Sequence, residues 1–218
     1  VDYSSASTST SGSQAISTTN GSEITILDKV NVLVTNTEPT TEGLQLGDDI
    51  DGEAVSDRSG YSVSSSSDGT IVAIGAMNND GYGSLTGHVR VYQYSNSTWT
   101  QLGSDIDGEA GNDRYGVAVS LSDDGTIMAA GAMYNSGNGS SAGHVRVWQR
   151  DESAAIGWTQ LGDDIDGEAA NDLFGTSVSL SSDGSIVAIG AKYNDGNGQW
   201  SGHVRIYQYS NSAWTQLG

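Results

Sequence analysis

Carboxylates recur in this sequence at a fixed spacing, and they are the side chains with the clearest potential for chemistry. In three segments, two aspartates and a glutamate alternate around a glycine, and a further aspartate follows. These acids are Asp49, Asp51, Glu53 and Asp57; Asp105, Asp107, Glu109 and Asp113; and Asp164, Asp166, Glu168 and Asp172. Alternating oxygen ligands suit Ca²⁺, which takes about six to eight oxygens. The pattern predicts calcium sites; the alternative, which we favour, is that Asp and Gly build turns through local hydrogen bonds.

Histidines are the side chains that a catalytic interpretation would need. His88, His144 and His203 stand at the same position of three similar segments. A residue copied into every unit of a repeat array favours a structural role over a catalytic one. The chain has no cysteine, and no nucleophile stands beside the histidines. The sequence therefore predicts that the protein is not an enzyme. The arginines two positions further on are expected to form ion pairs between neighbouring units; they are Arg90, Arg146 and Arg205.

The elements that position these side chains follow from an internal repeat. The string Gln-Leu-Gly recurs every 56 to 59 residues, at Gln45, Gln101, Gln160 and Gln216. Each interval contains four strand-like runs, and an Asp-Gly pair separates the first run from the second. Asp-Gly between such runs indicates a tight hairpin, because glycine takes a positive φ without steric cost. The repeat predicts an all-β protein of the β-propeller type, in which each unit is one four-stranded antiparallel blade.

Five segments are predicted along the chain. They are a Ser/Thr-rich N-terminal arm at 1–14, a degenerate blade at 15–47, and full blade repeats at 48–103, 104–162 and 163–218. The degenerate blade rests on an alignment that places Ala15-Ile16-Ser17 on Ser177-Val178-Ser179. One degenerate and three full blades predict either a closed four-bladed ring or an arc of a larger propeller.

Two short motifs inside the full repeats carry a family resemblance. A Phe-Gly-like pair stands at Ser59-Gly60, Tyr115-Gly116 and Phe174-Gly175, and a Gly-Ala pair begins at Gly75, Gly131 and Gly190. The repeats resemble FG-GAP repeats, the blade unit of the integrin α-subunit propeller, and are similar to tandem repeats of large secreted proteins of aquatic microbes. The resemblance implies a propeller fold and an extracellular setting. Integrin-like calcium loops lie between the first and second strands, where this sequence has only tight Asp-Gly turns.

Composition narrows the range of partners. The formal net charge is −19, from 27 acidic and 8 basic residues, and this charge repels nucleic acid and anionic lipid. No apolar run approaches the roughly 20 residues of a membrane helix, which predicts no membrane insertion. Sequons at Asn20, Asn96 and Asn138 predict N-glycosylation, and the Ser/Thr-rich arm suits O-linked sugar.

Two functions remain open at this point. The first is a non-enzymatic extracellular structural protein that assembles with other copies of itself into a fibre or surface layer, with the N-terminal arm docked on a neighbouring copy. The second is a calcium-dependent adhesion module, in which an acidic end of the propeller binds a glycan or a protein ligand. The two loops that form this end carry the recurrent acids and the Asn-rich segments that begin at Asn78, Asn135 and Asn194.

Overall fold

The described part of the protein consists of β-strands and turns. The computed structural model describes residues 15–17, 23–27, 31–35 and 45–218. The chain divides into two compact units, Val1–Gln45 and Leu46–Gly218. In the described residues no helix is long and apolar enough to cross a membrane.

The first unit contains one small antiparallel sheet. Its strands, in sheet order, are β1 (Ala15–Ser17), β2 (Glu23–Leu27) and β3 (Asn31–Thr35). Ile24 of β2 pairs with Ile16 on one side and with Val34 on the other. These strands overlap the runs expected for the degenerate blade, whose relation to the full repeats stays a prediction. The arm at 1–14 lies outside the described residues.

The second unit contains three consecutive four-stranded antiparallel sheets, called here the first, second and third blades. The first blade is β4 (Ser59–Ser65), β5 (Ile71–Ala76), β6 (His88–Ser95) and β7 (Thr98–Gln101), with the short strand β8 (Ile106–Asp107) added beside β6. The second blade is β9 (Tyr115–Leu121), β10 (Ile127–Ala132), β11 (His144–Arg150) and β12 (Trp158–Gln160), with β13 (Ile165–Asp166) beside β11. The third blade is β14 (Phe174–Leu180), β15 (Ile186–Ala191), β16 (His203–Ser210) and β17 (Ala213–Gln216). The all-β, four-stranded blade architecture predicted from the repeats is confirmed, and closure into a ring stays a prediction.

Local sequence explains the turns within each blade. In the first hairpin Gly69 takes φ 71°, and Asp68 Oδ1 accepts a 2.9 Å hydrogen bond from the backbone N–H of Thr70. A hydrogen bond from the Ser66 hydroxyl, together with the one from Thr70, lowers the pKa of the Asp68 carboxyl below its usual range. The strand-like run of the first repeat begins at Tyr61 in the sequence pattern, whereas β4 already begins at Ser59. A bulge at Gly60, with φ 82°, extends the pairing back to Ser59.

Apolar side chains fill the space between neighbouring blades. Val89 and Val91 on β6 are 0% and 1% exposed, because β9 of the second blade covers them. Val119 and Leu121 of β9 belong to the same buried cluster. The alternating pattern of β6 therefore marks a blade-to-blade face, and burying it supplies much of the attraction between repeats.

Glycine permits the close approach of one blade to the next. A side chain at Gly75 would overlap the carbonyl oxygen of Gly116, and one at Gly131 would overlap the carbonyl oxygen of Gly175. The Gly-Ala and Phe-Gly-like motifs therefore face each other across each blade junction.

Hydrogen bonds also cross the junctions. Ser64 Oγ accepts a 3.0 Å bond from the N–H of Leu121, and Ser120 Oγ accepts an equivalent 3.0 Å bond from the N–H of Leu180. These bonds fix the register of one blade against the next.

Candidate functional site

The short strands β8 and β13 bring acids of one repeat onto the preceding blade. β8 pairs with the start of β6, so that Asp107 lies opposite His88. β13 pairs with β11 in the same way, so that Asp166 lies opposite His144. Each buried histidine consequently faces the acidic segment of the following repeat.

Two clusters of His, Glu and Asp form at these positions. The first junction cluster consists of Glu53, His88 and Asp105, and the second junction cluster of Glu109, His144 and Asp164. Their potential ligand atoms lie within 4.8 Å of one another in each case. In the described residues these are the two places where three or more such side chains gather. The glutamate and the histidine come from one repeat and the aspartate from the next.

The distances in the clusters are too long for hydrogen bonds. In the first, Nδ1 of His88 lies 3.8 Å from Glu53 Oε2 and 3.8 Å from Asp105 Oδ2. In the second, Nδ1 of His144 lies 4.0 Å from Glu109 Oε2 and 3.5 Å from Asp164 Oδ2. Two carboxylate oxygens and one imidazole nitrogen thus surround a small common volume in each cluster.

Other side chains hold the second oxygen of each carboxylate. In the first cluster Gln101 Nε2 donates a 2.7 Å hydrogen bond to Asp105 Oδ1, and Arg90 Nη1 lies 3.7 Å from Glu53 Oε1. In the second cluster Gln160 does the same for Asp164 at 2.7 Å, and Arg146 lies 3.7 Å from Glu109. These anchors leave the remaining oxygens directed at the histidines.

The cluster histidines are buried and uncharged at neutral pH. His88 and His144 are each 1% exposed. Burial lowers the pKa of His88 below its usual range and lowers that of His144 to about 4. Nε2 of His144 is buried and has no hydrogen-bond partner.

The third blade contains only part of such a cluster. Nδ1 of His203 lies 3.6 Å from Glu168 Oε1, and Arg205 pairs with the other oxygen of Glu168. In the described residues no aspartate takes the place that Asp105 and Asp164 occupy in the other two clusters. Gln216 instead donates a 3.2 Å hydrogen bond to the carbonyl oxygen of Gly218.

The last aspartate of each acidic segment is buried in a turn. Asp57 Oδ2 accepts hydrogen bonds from the N–H of Ala54 and from Asn79 Nδ2, both at 3.0 Å. The equivalent residues are Asp113, bonded to Ala110 and Asn135, and Asp172, bonded to Asn194. Oδ2 of each of these aspartates is therefore used by hydrogen bonds around its turn, which fits the turn interpretation.

The remaining predicted acids are distributed around the blade ends. The backbone carbonyls of Asp51 and Asp107 accept hydrogen bonds from Arg90 and Arg146. Asp49 and Asp166 are exposed. The four acids of one segment do not gather around a single point, since the convergent groups combine two repeats. Calcium binding by these segments stays a prediction.

The recurrent arginines were expected to pair between blades, and this expectation is wrong for their carboxylate partners. Arg90 and Arg146 pair with Glu53 and Glu109 of their own repeats. The acidic segment starts on the preceding blade, where β8 pairs with β6, and its glutamate then reaches the arginine on the third strand of its own blade. Arg146 also lies over the ring of Tyr115, with its guanidinium carbon 4.4 Å from the ring centroid.

The sequons differ in their surroundings. Asn96 is exposed in the β6–β7 hairpin, where it takes φ 49°. Asn138 Nδ2, the atom that would carry a glycan, donates a 2.8 Å hydrogen bond to the carbonyl oxygen of Gly167. Asn20 lies outside the described residues. Asn96 and Asn138 are both exposed, and glycosylation stays a prediction.

Comparison with known proteins supports the family resemblance. Residues 165–207 match the model of the FG-GAP repeat. The third full repeat is therefore similar to an FG-GAP repeat, as its motifs indicated. No curated protein matches the sequence.

Several solved structures are similar to the chain at low identity. Saccharomyces cerevisiae Sqt1 is 13% identical with a TM-score of 0.47, over 75% of this chain and 36% of that one. The periplasmic gluconolactonase PpgL of Pseudomonas aeruginosa is 13% identical with a TM-score of 0.45, over 90% and 51%. Hydrazine synthase of Kuenenia stuttgartiensis is 11% identical with a TM-score of 0.46, over 78% and 38%. The chain spans between about a third and a half of the length of these proteins.

Proposed function

We propose that this protein is a non-enzymatic, extracellular structural repeat protein whose copies associate head to tail through the two open faces of its blade stack. The observation that carries the proposal is an exposed apolar face on the third blade. Val204 and Ile206 of β16 are 66% and 42% exposed, whereas the equivalent Val89 and Val91 of β6 are 0% and 1% exposed. The equivalent valines of β11, Val145 and Val147, are buried to the same degree. In the first and second blades these apolar positions are covered by the following blade. In the third blade the equivalent side chains are exposed.

The first blade presents the complementary face. Tyr61 and Val63 of β4 are 52% and 66% exposed, while Val117 and Val119 at the equivalent positions of β9 are 6% and 8% exposed. Inside the chain, β9 is the strand that covers β6. By the same geometry, β4 of a second copy fits over β16, and burying these side chains favours the association.

A glycine at each of the two open faces also leaves room for the close approach of a second copy. A methyl group on Gly60 would meet no atom within 4 Å, and one on Gly190 would meet only Ser177 of its own blade. Within the chain the equivalent glycines Gly75 and Gly116 face each other at a junction. Gly190 of one copy and Gly60 of the next therefore form a pair of the same kind.

Extracellular location is the part of the proposal that rests on the family. FG-GAP repeats are typical of extracellular or surface proteins. The acidic surface and the absence of cysteine are compatible with that setting.

Mixing two variants of the full chain tests the head-to-tail contact. Val204→Lys blocks one face and Val63→Lys blocks the other, so each variant alone should be a monomer by light scattering and analytical ultracentrifugation. A mixture of the two should form dimers and nothing larger, since each variant keeps the face that the other lacks.

The matched control is Thr100→Lys, which adds the same charge to an exposed position. The equivalent Thr159 stays exposed between two blades, so this position lies outside the junction. The control should form chains like the wild-type protein. A wild-type chain that stays monomeric over the whole concentration range would contradict the proposal and would favour closure by residues 15–47.

The second candidate function is a calcium-dependent adhesion module. It is favoured by a groove at the acidic end of the second blade, between the loop 109–114 and the loop 134–137. Arg114 lies over the ring of Tyr134 in this groove, at 5.4 Å from its centroid. Binding of the full chain to immobilised glycans, with calcium and with a chelator at constant ionic strength, distinguishes this function. Calcium-dependent binding by the monomeric Val204→Lys variant would favour it.

A further inference from the structure

The two junction clusters have the composition of a transition-metal site rather than that of a calcium site. Each combines one imidazole nitrogen with two carboxylate oxygens. Ca²⁺ prefers oxygen ligands alone, whereas imidazole together with carboxylate suits Zn²⁺ and similar divalent ions. We propose that each junction cluster binds one divalent transition-metal ion of the zinc class, which links two successive blades.

The spacing of the ligand atoms fits this class of ion. Zn²⁺ binds nitrogen and oxygen at about 2.0 to 2.2 Å, so tetrahedral ligands lie about 3.3 to 3.6 Å apart. Nδ1 of His144 lies 3.5 Å from Asp164 Oδ2, and Nδ1 of His88 lies 3.8 Å from each of its carboxylate partners. Small side-chain movements bring all three ligands to a metal ion. Because the glutamate side chain is 45% exposed in both clusters, water can occupy the fourth position.

The histidines provide an observation that is independent of the acids. His144 is 1% exposed, and its Nδ1 is directed at the two carboxylates without a hydrogen bond, at 3.5 Å from Asp164 Oδ2 and 4.0 Å from Glu109 Oε2. A buried imidazole nitrogen without a partner is costly. A metal ion on Nδ1 gives this nitrogen a partner.

The charge of each cluster also suits metal binding. Two carboxylates with one nearby guanidinium leave each cluster negatively charged, which attracts a cation.

The surrounding side chains hold the carboxylates in place. Gln101 and Gln160 each donate a 2.7 Å hydrogen bond to the aspartate oxygen that faces away from the histidine. Arg90 and Arg146 contact the outward oxygens of the glutamates. Such partners orient ligating carboxylates in metalloproteins.

The test is Zn²⁺ titration of the full chain, made metal-free with a chelator and kept at a concentration where light scattering gives a monomer. A competing chromophoric chelator reports affinity and stoichiometry, and we expect two Zn²⁺ per chain. Asp164→Asn should weaken one of the two sites at least tenfold, and Asp105→Asn combined with it should weaken both. Asparagine keeps the size of the side chain and the acceptor for glutamine, so these variants are expected to fold.

Asp163→Asn is the matched control, because this exposed neighbour carries the same charge and contacts neither cluster. It should keep both sites. Bound Co²⁺ should show visible bands of four-coordinate intensity in the wild-type protein and lose them in the double variant. Ca²⁺ at the same concentration should not displace Zn²⁺. Absence of bound Zn²⁺ in the wild-type chain, or two equally tight sites in the double variant, would overturn the proposal.

Discussion

The hydroxyl oxygen of Tyr115 accepts a 2.7 Å hydrogen bond from the indole Nε1 of Trp148, and this bond is buried. Tyr115 is the aromatic residue of the Phe-Gly-like motif in the second blade, and Trp148 lies on β11 of the same blade. The residue equivalent to Tyr115 in the third blade is Phe174, which is also 0% exposed. One motif position therefore supports a hydrogen bond in one blade and only apolar contacts in the next.

Alkaline pH should weaken the fold through this tyrosine. Burial raises the pKa of Tyr115 to about 12 from its ordinary value of 10. The unfolded chain therefore releases this proton at lower pH than the folded protein, and stability that is complete below pH 10 falls as pH rises towards 12. The loss amounts to at most about 3 kcal/mol in the free energy of unfolding.

Urea unfolding of the wild-type protein and of Tyr115→Phe at several pH values measures this effect. The variant should be about 1 to 2 kcal/mol less stable at pH 7, because the indole N–H of Trp148 loses its acceptor. The difference between the two proteins should shrink above pH 10. Parallel pH profiles would show that Tyr115 is not responsible.

The close approach of glycines predicts a position-dependent effect of one substitution. Gly131→Ala places a methyl group against the carbonyl oxygen of Gly175 in the next blade. A backbone carbonyl cannot rotate away as a side chain can. We therefore expect the free energy of unfolding to fall by about 3 kcal/mol or more. Thermal unfolding of the monomeric protein gives the measurement.

Gly190→Ala is the control for this prediction. It is the same change at the equivalent position of the third blade, where the nearest atom is Oγ of Ser177, which can rotate. We expect the free energy of unfolding of the monomer to fall by less than about 1 kcal/mol. Equal losses at Gly131 and Gly190 would mean that the blade junction is not the cause.

The buried aspartate turns predict that a buried and an exposed aspartate differ in their effect on stability. Asp113→Ala leaves the N–H of Ala110 and the amide of Asn135 without their acceptor. Two unsatisfied groups cost about 2 to 4 kcal/mol. Asp123→Ala removes the same charge from an exposed position and should change the unfolding midpoint little. A similar effect of both changes would indicate that charge, and not hydrogen bonding, determines the stability.

Net charge predicts a dependence on ionic strength. The formal charge of −19 makes the folded chain repel itself, and salt screens that repulsion over about 10 Å at 0.1 M. The unfolding midpoint should therefore rise when NaCl increases from low to moderate concentration. Uncharged sucrose of equal osmolality provides the control, and a midpoint that is independent of NaCl would contradict the prediction.

The sequence by itself determined the features that depend on near neighbours along the chain. The Gln-Leu-Gly interval, the strand-like runs and the Asp-Gly hairpins predicted four-stranded antiparallel blades, because turn conformation and strand periodicity are local properties. The boundaries were less well predicted. The bulge at Gly60 extends β4, and its conformation depends on pairing with β5.

Only the tertiary structure decided which side chains meet. The spacing of the acids suggested that Asp49, Asp51 and Glu53 act together, whereas Glu53 in fact faces His88 of its own blade and Asp105 of the next repeat. The recurrence of the string Gly-His-Val-Arg in each repeat marked the histidines as a feature of the blade. The string itself does not show which carboxylates face each histidine. Pairing of β8 with β6 creates this arrangement, and such pairing joins distant segments whose contacts leave no local pattern in the sequence.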